Sequence, residues 1–185
     1  VKQIVHRSKK PVEIIEDEDK PSGILIPTGS TLFNLALSDS IHGGFDGGKI
    51  INLIGDSSSG KTFIALSCFA EMAHNPAFEE YRFIYDDVEQ ANEFNIRYLF
   101  GEKTESRIEE PPNKHSNLIE DFRDNILSLL KEGEPFVYVL DSFDALSSED
   151  EIKKVNEQVK AREKGNKISG TYGMEKAKGV SQLLR

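Results

Sequence analysis

Three apolar runs along the chain have the length and residue types of buried β-strands. They occupy residues 50–54 (IINLI), 81–86 (YRFIYD) and 135–141 (PFVYVLD). Runs rich in β-branched and aromatic residues, with little alternation of polar positions, are typical of strands that are covered on both faces. The pattern therefore predicts three strands of a parallel sheet.

Before and between these strands, apolar residues recur with the three- and four-residue spacing of amphipathic helices. Helices are predicted over residues 31–38, with Ser30 as the N-cap, over 61–74 and over 117–131. The side chains predicted to face the core are Leu32, Leu35, Ala36, Ile64, Ala65, Cys68, Phe69, Met72, Leu118, Phe122, Ile126 and Leu129. Strands that alternate with helices along a chain are the signature of an α/β fold with a parallel sheet.

The junction between the first strand and the second helix carries a phosphate-binding motif. Residues 55–62, GDSSSGKT, match the pattern G-x-x-x-x-G-K-[ST]. In this motif backbone N–H groups and the helix N-terminus face phosphate oxygens, the lysine reaches the β- and γ-phosphates, and the last hydroxyl ligates Mg²⁺. Thr62 is therefore also a predicted metal ligand. The predicted phosphate-binding residues are Gly55, Asp56, Ser57, Ser58, Ser59, Gly60, Lys61 and Thr62.

An acidic residue follows the third strand, where proteins with this motif usually place a carboxylate on the magnesium side of the site. Asp141 is predicted to hold Mg²⁺ directly or through water, and capping of the next helix is its alternative role. Asp144 is assigned to capping or to solvent. Guanine-specific sites commonly contain an Asn/Thr-Lys-x-Asp stretch, and the nearest candidates, at 113–116 and 166–169, lack the aspartate. ATP with Mg²⁺ is therefore the predicted ligand.

Three carboxylates cluster at the end of the second strand, in the stretch FIYDDVEQAN (83–92). Alternation along the strand sends Asp86 and Asp87 to opposite faces, so these two cannot act as a pair. Glu89 lies beyond the strand, at the edge where open α/β sheets bind ligands, and it has the reach to approach a γ-phosphate. The stretch by itself is compatible with a general base, a metal site or a solvated cluster.

The ordered set of these motifs resembles the ATPase core of the RecA/RadA recombinase family. Residues 23–73 lead through a Thr-Gly motif and a Gly-Gly segment into the P-loop, and residues 87–89 match the Asp-x-Glu end of the second strand of the family. FVYVLDSFDAL (136–146) is similar to the Walker B strand, and GTYGMEKAKGVSQLLR (170–185) is similar to the helix after the first DNA-binding loop. The resemblance covers about residues 23–185, most of the chain.

The resemblance implies an α/β fold of the RecA-like P-loop NTPase type, with a mainly parallel sheet flanked by helices on both faces. Residues 1–22 are predicted to form a charged N-terminal arm, and residues 23–185 a partial ATPase core. The core is expected to be incomplete at its C-terminus, because the family places a further strand with a polar sensor residue between the P-loop and Walker B strands. Lys61 and Glu89 are the expected catalytic residues, with Glu89 polarising the attacking water and Asp87 as the alternative base.

The segment after the Walker B strand departs from the family, where it is short. Residues 147–172 are predicted to form a long basic loop, and residues 150–185 carry nine Lys or Arg against five Asp or Glu in a chain of net charge −9. Basic side chains in such a loop suit contacts to DNA phosphates, and a solvated, partly helical surface segment is the alternative. The predicted DNA-binding residues are Lys153, Lys154, Lys160, Arg162, Lys164 and Lys167.

The predicted function is a DNA-dependent ATPase that acts as a recombinase on single-stranded DNA and self-associates into a filament or ring. Two alternatives stay open: a related P-loop motor or hexameric switch ATPase of the helicase or clock type, and a nucleotide-gated assembly or mediator protein with little turnover. This chain alone is expected to be nearly inactive, because it lacks the sensor strand. No apolar run approaches the roughly 18 residues of a membrane span, so we expect a soluble, cytoplasmic protein without membrane contact.

Overall fold

The computed structural model describes residues 23–90 and 92–163, together with residue 181. The predicted N-terminal arm lies outside the described residues, and so does the predicted C-terminal helix apart from residue 181. Within the described ranges, no helix combines the length and the apolar character needed to cross a membrane.

The described chain alternates helices and strands from the phosphate-binding motif onward, as the apolar pattern predicted. In chain order the elements are β1 (Leu25–Ile26), α1 (Thr31–Ser38), β2 (Phe45–Asp46), α2 (Lys61–Ala73), a 3₁₀ turn (Pro76–Phe78), β3 (Arg82–Asp87), α3 (Ile96–Phe100), α4 (Glu102–Arg107), β4 (Ile108–Glu109), α5 (Ile119–Glu132), β5 (Phe136–Asp141), a second 3₁₀ turn (Phe143–Ala145) and α6 (Glu149–Glu163). The second and third predicted helices correspond to α2 and α5, and the second and third predicted strands to β3 and β5.

A parallel sheet with the spatial order β4–β3–β5 forms the centre of the fold. β3 and β5 pair along their whole length, from Arg82 opposite Phe136 to Asp87 opposite Asp141. β1 and β2 form a separate antiparallel pair. Because β3 and β5 are parallel, their carboxyl ends reach the same edge of the sheet, and side chains from both strands meet there. The predicted α/β fold with a parallel sheet is confirmed.

Helix α2 covers one face of the sheet with an apolar stripe. Leu66, Phe69 and Met72 are completely buried, and the Phe69 ring stacks on Phe83 of β3 with the ring centroids 5.3 Å apart. Cys68 is also buried, and this burial raises the pKa of its thiol to about 12, so Cys68 is a core residue rather than a nucleophile. The prediction that α2 packs through Cys68, Phe69 and Met72 is confirmed.

The opposite face of the sheet packs against α5 and contains a buried polar network. The Asp86 side chain has no solvent exposure and accepts hydrogen bonds from the Ser116 backbone N–H (3.0 Å), the Ser116 hydroxyl (2.6 Å) and the Tyr138 hydroxyl (2.6 Å). His115 Nδ1 lies 3.3 Å from the same carboxylate, and Phe122 of α5 packs edge-on against the Tyr138 ring. Helices therefore flank both faces of the sheet, as predicted.

Helix α1 has the predicted bounds but buries a different face. Its predicted N-cap is confirmed, because the Ser30 hydroxyl accepts a hydrogen bond from the Phe33 N–H. Three residues predicted to face inward are exposed instead, namely Leu32, Leu35 and Ala36. The buried residue is Asn34, whose Oδ1 accepts from the backbone N–H (3.0 Å) and the hydroxyl (2.7 Å) of Thr28. The inward face of the helix thus carries this polar contact together with Phe33, whose ring packs edge-on against Phe45 of β2.

The predicted strand over residues 50–54 does not form. These residues pair with no strand of the described chain, and Ile50 and Ile54 are 80% and 87% exposed. A strand needs a neighbour that completes its backbone hydrogen bonds, and among the described residues β5 has a neighbour only on the β3 side. The further strand that the resemblance places between the P-loop segment and β5 is not among the described residues and stays a prediction.

The prediction of a long loop over residues 147–172 is wrong for the part that the structure describes, because α6 occupies most of it. The helix begins with a capping box, in which the Glu151 N–H donates to the Ser148 hydroxyl and the Ser148 N–H donates to the Glu151 carboxylate, both at 3.2 Å. Three acidic residues fill the first turn, where negative charge is stabilised by the helix dipole. These local contacts favour a helix despite the polar composition of the segment.

Replacing Asp86 with alanine tests the buried network. The change leaves the Ser116 N–H, the Ser116 hydroxyl and the Tyr138 hydroxyl without their acceptor, so we expect the free energy of unfolding to fall by about 2–4 kcal/mol in urea denaturation. Asp124→Ala is the control, because Asp124 is exposed and pairs with the adjacent Arg123, and its effect should stay within about 0.5 kcal/mol. Equal stabilities of the two variants would contradict the role of the network.

Candidate functional site

Residues 55–62 form a tight loop that leads into α2. Ser58 and Gly60 have left-handed backbone conformations, with φ of 60° and 92°, and the Ser59 N–H closes a turn on the Asp56 carbonyl at 3.2 Å. Turns that include left-handed residues direct successive backbone N–H groups to one side and create a concavity that binds anions. The conformation of the loop therefore suits phosphate oxygens.

Lys61 is the first residue of α2, and its side chain lies over the loop. The ammonium donates to the backbone carbonyls of Gly55 (2.9 Å) and Asp56 (2.7 Å). A Cβ added at position 55 would lie 2.7 Å from the Ser59 hydroxyl, so the Ser59 side chain would have to turn away. The ammonium and the positive end of a 13-residue helix thus meet at one point, and both favour a bound anion.

Thr62 links the loop to the central sheet. Its hydroxyl donates to Asp141 Oδ2 at 2.6 Å, although the two residues are 79 positions apart in the chain. A hydroxyl and a carboxylate side by side are hard oxygen ligands, of the kind that Mg²⁺ uses together with phosphate oxygens and water. The predicted Mg²⁺ fits this pair, and Thr62 and Asp141 are the residues that would hold it.

A third side chain, which belongs to no motif of the sequence, contacts the same carboxylate oxygen. The Tyr85 hydroxyl donates to Asp141 Oδ2 at 3.1 Å, and the Tyr85 side chain belongs to the core under α2. Burial, and after it the negative charge of Asp141, raise the pKa of the Tyr85 phenol, so the group stays protonated and acts as a donor. Alternation along β3 predicts that Tyr85 lies on the same face as Asp87. Which side chain the Tyr85 hydroxyl contacts depends on the register of β3 against β5.

The three carboxylates at the end of β3 have different surroundings. Asp86 is buried on the α5 face and, as predicted, points away from Asp87. Asp87 Oδ2 accepts a hydrogen bond from the Asn92 N–H at 2.9 Å, which closes the turn after the strand. Glu89 is exposed, and its Oε1 accepts from the Ser142 hydroxyl at 3.2 Å. Among the three, Glu89 thus combines exposure to solvent with a contact to the segment that follows β5.

The carboxyl ends of β3 and β5 are tied together by the backbone. The Val88 N–H donates to the Asp141 carbonyl at 2.8 Å, and the peptide bond between Asp141 and Ser142 is cis. Ser142 contacts Glu89, and Asp141 contacts Thr62. The structure thus brings the predicted base, the predicted metal-side acid and the P-loop threonine into one connected group.

The predicted DNA-binding residues are described only in part. The three described side chains are those of Lys153, Lys154 and Lys160. The other three side chains, those of Arg162, Lys164 and Lys167, lie outside the described residues. Lys153 Nζ lies 3.1 Å from a Glu149 oxygen and 3.8 Å from an Asp150 oxygen, and the hydrogen bond to Glu149 raises the pKa of Lys153. The charge of Lys153 is therefore partly neutralised within its own helix.

The phosphate-binding and metal-side features occur in the order in which P-loop nucleotide-binding proteins have them, and they meet at one edge of a parallel sheet. The fold and the site together define this class of protein. The family model of the AAA domain matches residues 35–174, about three quarters of the chain. The chain therefore belongs to the AAA domain family of P-loop proteins.

Curated relatives of the chain are bacterial proteins named Protein RecA. The one from Geobacter sulfurreducens is 32% identical over 137 residues, which are 74% of this chain and 37% of that protein. The one from Phytoplasma mali is 31% identical over 147 residues (76% and 39%), and the one from Corynebacterium urealyticum is 29% identical over 136 residues (74% and 34%). The chain thus spans between a third and two fifths of their length. No solved structure gave a significant match. The predicted RecA-like P-loop ATPase core is confirmed.

Lys61→Ala tests the phosphate site. Loss of a charged hydrogen bond of about 1.5–3 kcal/mol to phosphate should weaken ATP binding about 10- to 100-fold, as measured by isothermal titration calorimetry. Lys103→Ala is the matched control, because Lys103 is exposed on α4 and should leave affinity unchanged. Wild-type affinity of the Lys61 variant would remove the assignment of residues 55–62 to phosphate.

Proposed function

We propose that the chain is the catalytic core of a RecA-like ATPase that binds ATP with Mg²⁺ and hydrolyses it. The observation that supports this proposal most directly is the 2.6 Å contact between the Thr62 hydroxyl and Asp141. It joins the end of the phosphate loop to the acidic end of β5, and a magnesium triphosphate requires both groups at one point. The relatives named Protein RecA support the same class of activity.

The protein groups act in this proposal by position and charge. Backbone N–H groups of residues 55–62, the positive end of α2 and the Lys61 ammonium stabilise the phosphate oxygens. Thr62 and Asp141 would hold Mg²⁺, which would supply positive charge to the phosphate groups. Phosphoryl transfer needs little covalent help from a protein, so accurate placement of these groups supplies most of the rate enhancement.

Glu89 is the residue that we assign to the attacking water. It is exposed at the same edge of the sheet as Asp141, and the Ser142 hydroxyl orients it through Oε1. The other carboxylate oxygen is then in a position to accept a hydrogen bond from water and polarise it. Asp87 is the weaker candidate, because its Oδ2 accepts the Asn92 N–H and holds the turn.

The proposal extends to an intracellular protein that binds single-stranded DNA, which stimulates hydrolysis, and that self-associates into a filament or ring. The excess of basic residues over 150–185 supports the DNA contact, because Lys and Arg that neutralise phosphates supply the sequence-independent part of such binding. Lys160 is exposed on α6, and Arg162, Lys164 and Lys167 follow it along the chain. Positive charge thus lies after the acidic first turn of the helix.

Glu89→Gln in the complete protein tests the assignment of the base. The amide keeps the size of the side chain but polarises water poorly, so ATP hydrolysis should fall about 10²- to 10⁴-fold while ATP affinity stays near the wild-type value. Phosphate release and ATP binding are measured on the same samples. Asp87→Asn is the paired variant, and a normal rate in Glu89→Gln with a large loss in Asp87→Asn would move the role to Asp87.

Alanine at Lys160, Arg162, Lys164 and Lys167 together tests the DNA contact. We expect weaker binding of a labelled single-stranded oligonucleotide and a shallower salt dependence, by about 0.7 in the log–log slope for each phosphate that is no longer neutralised. Fluorescence anisotropy over a series of NaCl concentrations measures both. Lys153→Ala is the control with a small expected effect, since Lys153 already pairs with Glu149.

Three outcomes separate the proposal from its alternatives. Unchanged DNA affinity and an unchanged salt slope in the fourfold variant would mean that the basic segment is a solvated surface that does not contact DNA. Rings with ATP in electron micrographs, in place of filaments on DNA, would favour a motor or hexameric switch ATPase. Tight ATP binding without DNA-stimulated phosphate release by the complete protein would favour a nucleotide-gated assembly protein.

A further inference from the structure

β3 and β5 exchange two tyrosine–aspartate hydrogen bonds, one on each face of the sheet. On the α2 face, the Tyr85 hydroxyl of β3 donates to Asp141 Oδ2 of β5 at 3.1 Å. On the α5 face, the Tyr138 hydroxyl of β5 donates to Asp86 Oδ2 of β3 at 2.6 Å. Tyr85 lies two residues before Asp87, which is paired with Asp141, and Tyr138 lies two residues before Leu140, which is paired with Asp86. The two contacts therefore cross between the strands along the same diagonal.

The two pairs differ in what else reaches the aspartate. Asp86 is completely buried and also accepts both hydrogen bonds from Ser116, so this pair belongs to the core. Asp141 lies at the end of its strand, is only partly buried and also accepts a hydrogen bond from the Thr62 hydroxyl. The Tyr85 contact is therefore part of the group that would hold Mg²⁺, whereas Tyr138 contacts the aspartate on the opposite face.

We propose that Tyr85 is a positioning residue for the Asp141 carboxylate, and that its hydroxyl sets the Mg²⁺ dependence of nucleotide binding. This inference rests on the proposed function of the site as a magnesium–ATP site. Tyr85 and Thr62 both donate to Oδ2, and neither donates to Oδ1. Two donors on one oxygen hold the carboxylate in a single orientation, with Oδ1 left for the cation or for a water that the cation binds.

The core fixes the position of the Tyr85 hydroxyl. The residue is 7% exposed and belongs to the apolar cluster that includes Phe69 and Phe83, so its ring has little freedom to move. The hydroxyl is thus placed by the packing of β3 under α2, independently of a bound cation. Hydrogen bonds that orient a metal-binding side chain in this way typically change metal affinity about 10- to 100-fold when they are removed.

Tyr85→Phe in the complete protein removes this hydroxyl and keeps the ring. ATP binding is measured by isothermal titration calorimetry over a series of Mg²⁺ concentrations and in EDTA, with the melting temperature recorded for each variant. We expect the half-saturating Mg²⁺ concentration to rise about 10-fold, while ATP affinity in EDTA stays at the wild-type value. A loss of stability alone would not move the Mg²⁺ dependence of the folded protein.

Two further variants make the test specific. Tyr138→Phe removes the same group from the same strand pair on the other face, so it should lower stability and leave the Mg²⁺ dependence unchanged. In an Asp141→Asn background, Tyr85→Phe should have no additional effect on the Mg²⁺ dependence, because a positioning residue acts only through its partner.

The outcomes distinguish this inference from the proposed function. A wild-type protein that binds ATP in an Mg²⁺-dependent way, with an unchanged or lowered half-saturating concentration in Tyr85→Phe, overturns the inference and leaves the function standing. Equal shifts in the Tyr85 and Tyr138 variants, or a full effect in the Asp141→Asn background, overturn it as well. A wild-type protein without Mg²⁺-dependent ATP binding overturns the proposed function and this inference with it.

Discussion

The register of β3 against β5 is the constraint on which the rest of the site depends. It places Asp87 opposite Asp141 at the edge of the sheet. A slip of one residue in either strand would turn all its side chains to the other face. Both faces are covered, with Phe83 stacked on Phe69 under α2 and Asp86 enclosed on the α5 side. The register is therefore specified by packing along the whole strand, and the positions of the acidic groups follow from it.

The same pair of strands gives two aspartates different roles through their surroundings. Burial of a carboxylate costs several kcal/mol unless hydrogen bonds compensate it. Asp86 is completely buried and accepts hydrogen bonds from Ser116 and Tyr138, so its side chain belongs to the core. Asp141 accepts from two hydroxyls at one oxygen and lies where the sheet meets solvent. Only the second arrangement leaves a carboxylate that can respond to a cation.

The sequence was most informative where the signal was local. The P-loop at 55–62 is a contiguous motif, and its place between a predicted strand and helix already indicates phosphate binding. The α6 helix also had a local signal, the Ser-x-x-Glu capping box at 148–151, which the polar composition obscured. The burial of Asn34 depends on its hydrogen bonds with Thr28, six residues away, whereas the unpaired segment 50–54 and the role of Tyr85 depend on partners distant in the chain. Propensity and periodicity do not indicate which other residue a given side chain or strand will contact.

Residues 50–54, the segment before the P-loop, are largely exposed, so the loop is held in place mainly by the helix that follows it. Leu66, Phe69 and Met72 fix α2 against the sheet over its middle and last turns. Lys61 and Thr62 lie in the first turn of the same helix, so a rigid element carries them to a defined point. The hydrogen bond from Thr62 to Asp141 then closes the arrangement from the sheet side. The positions of Lys61 and Thr62 thus follow from the helix packed on β3, while residues 50–54 are not paired as a strand in the described chain.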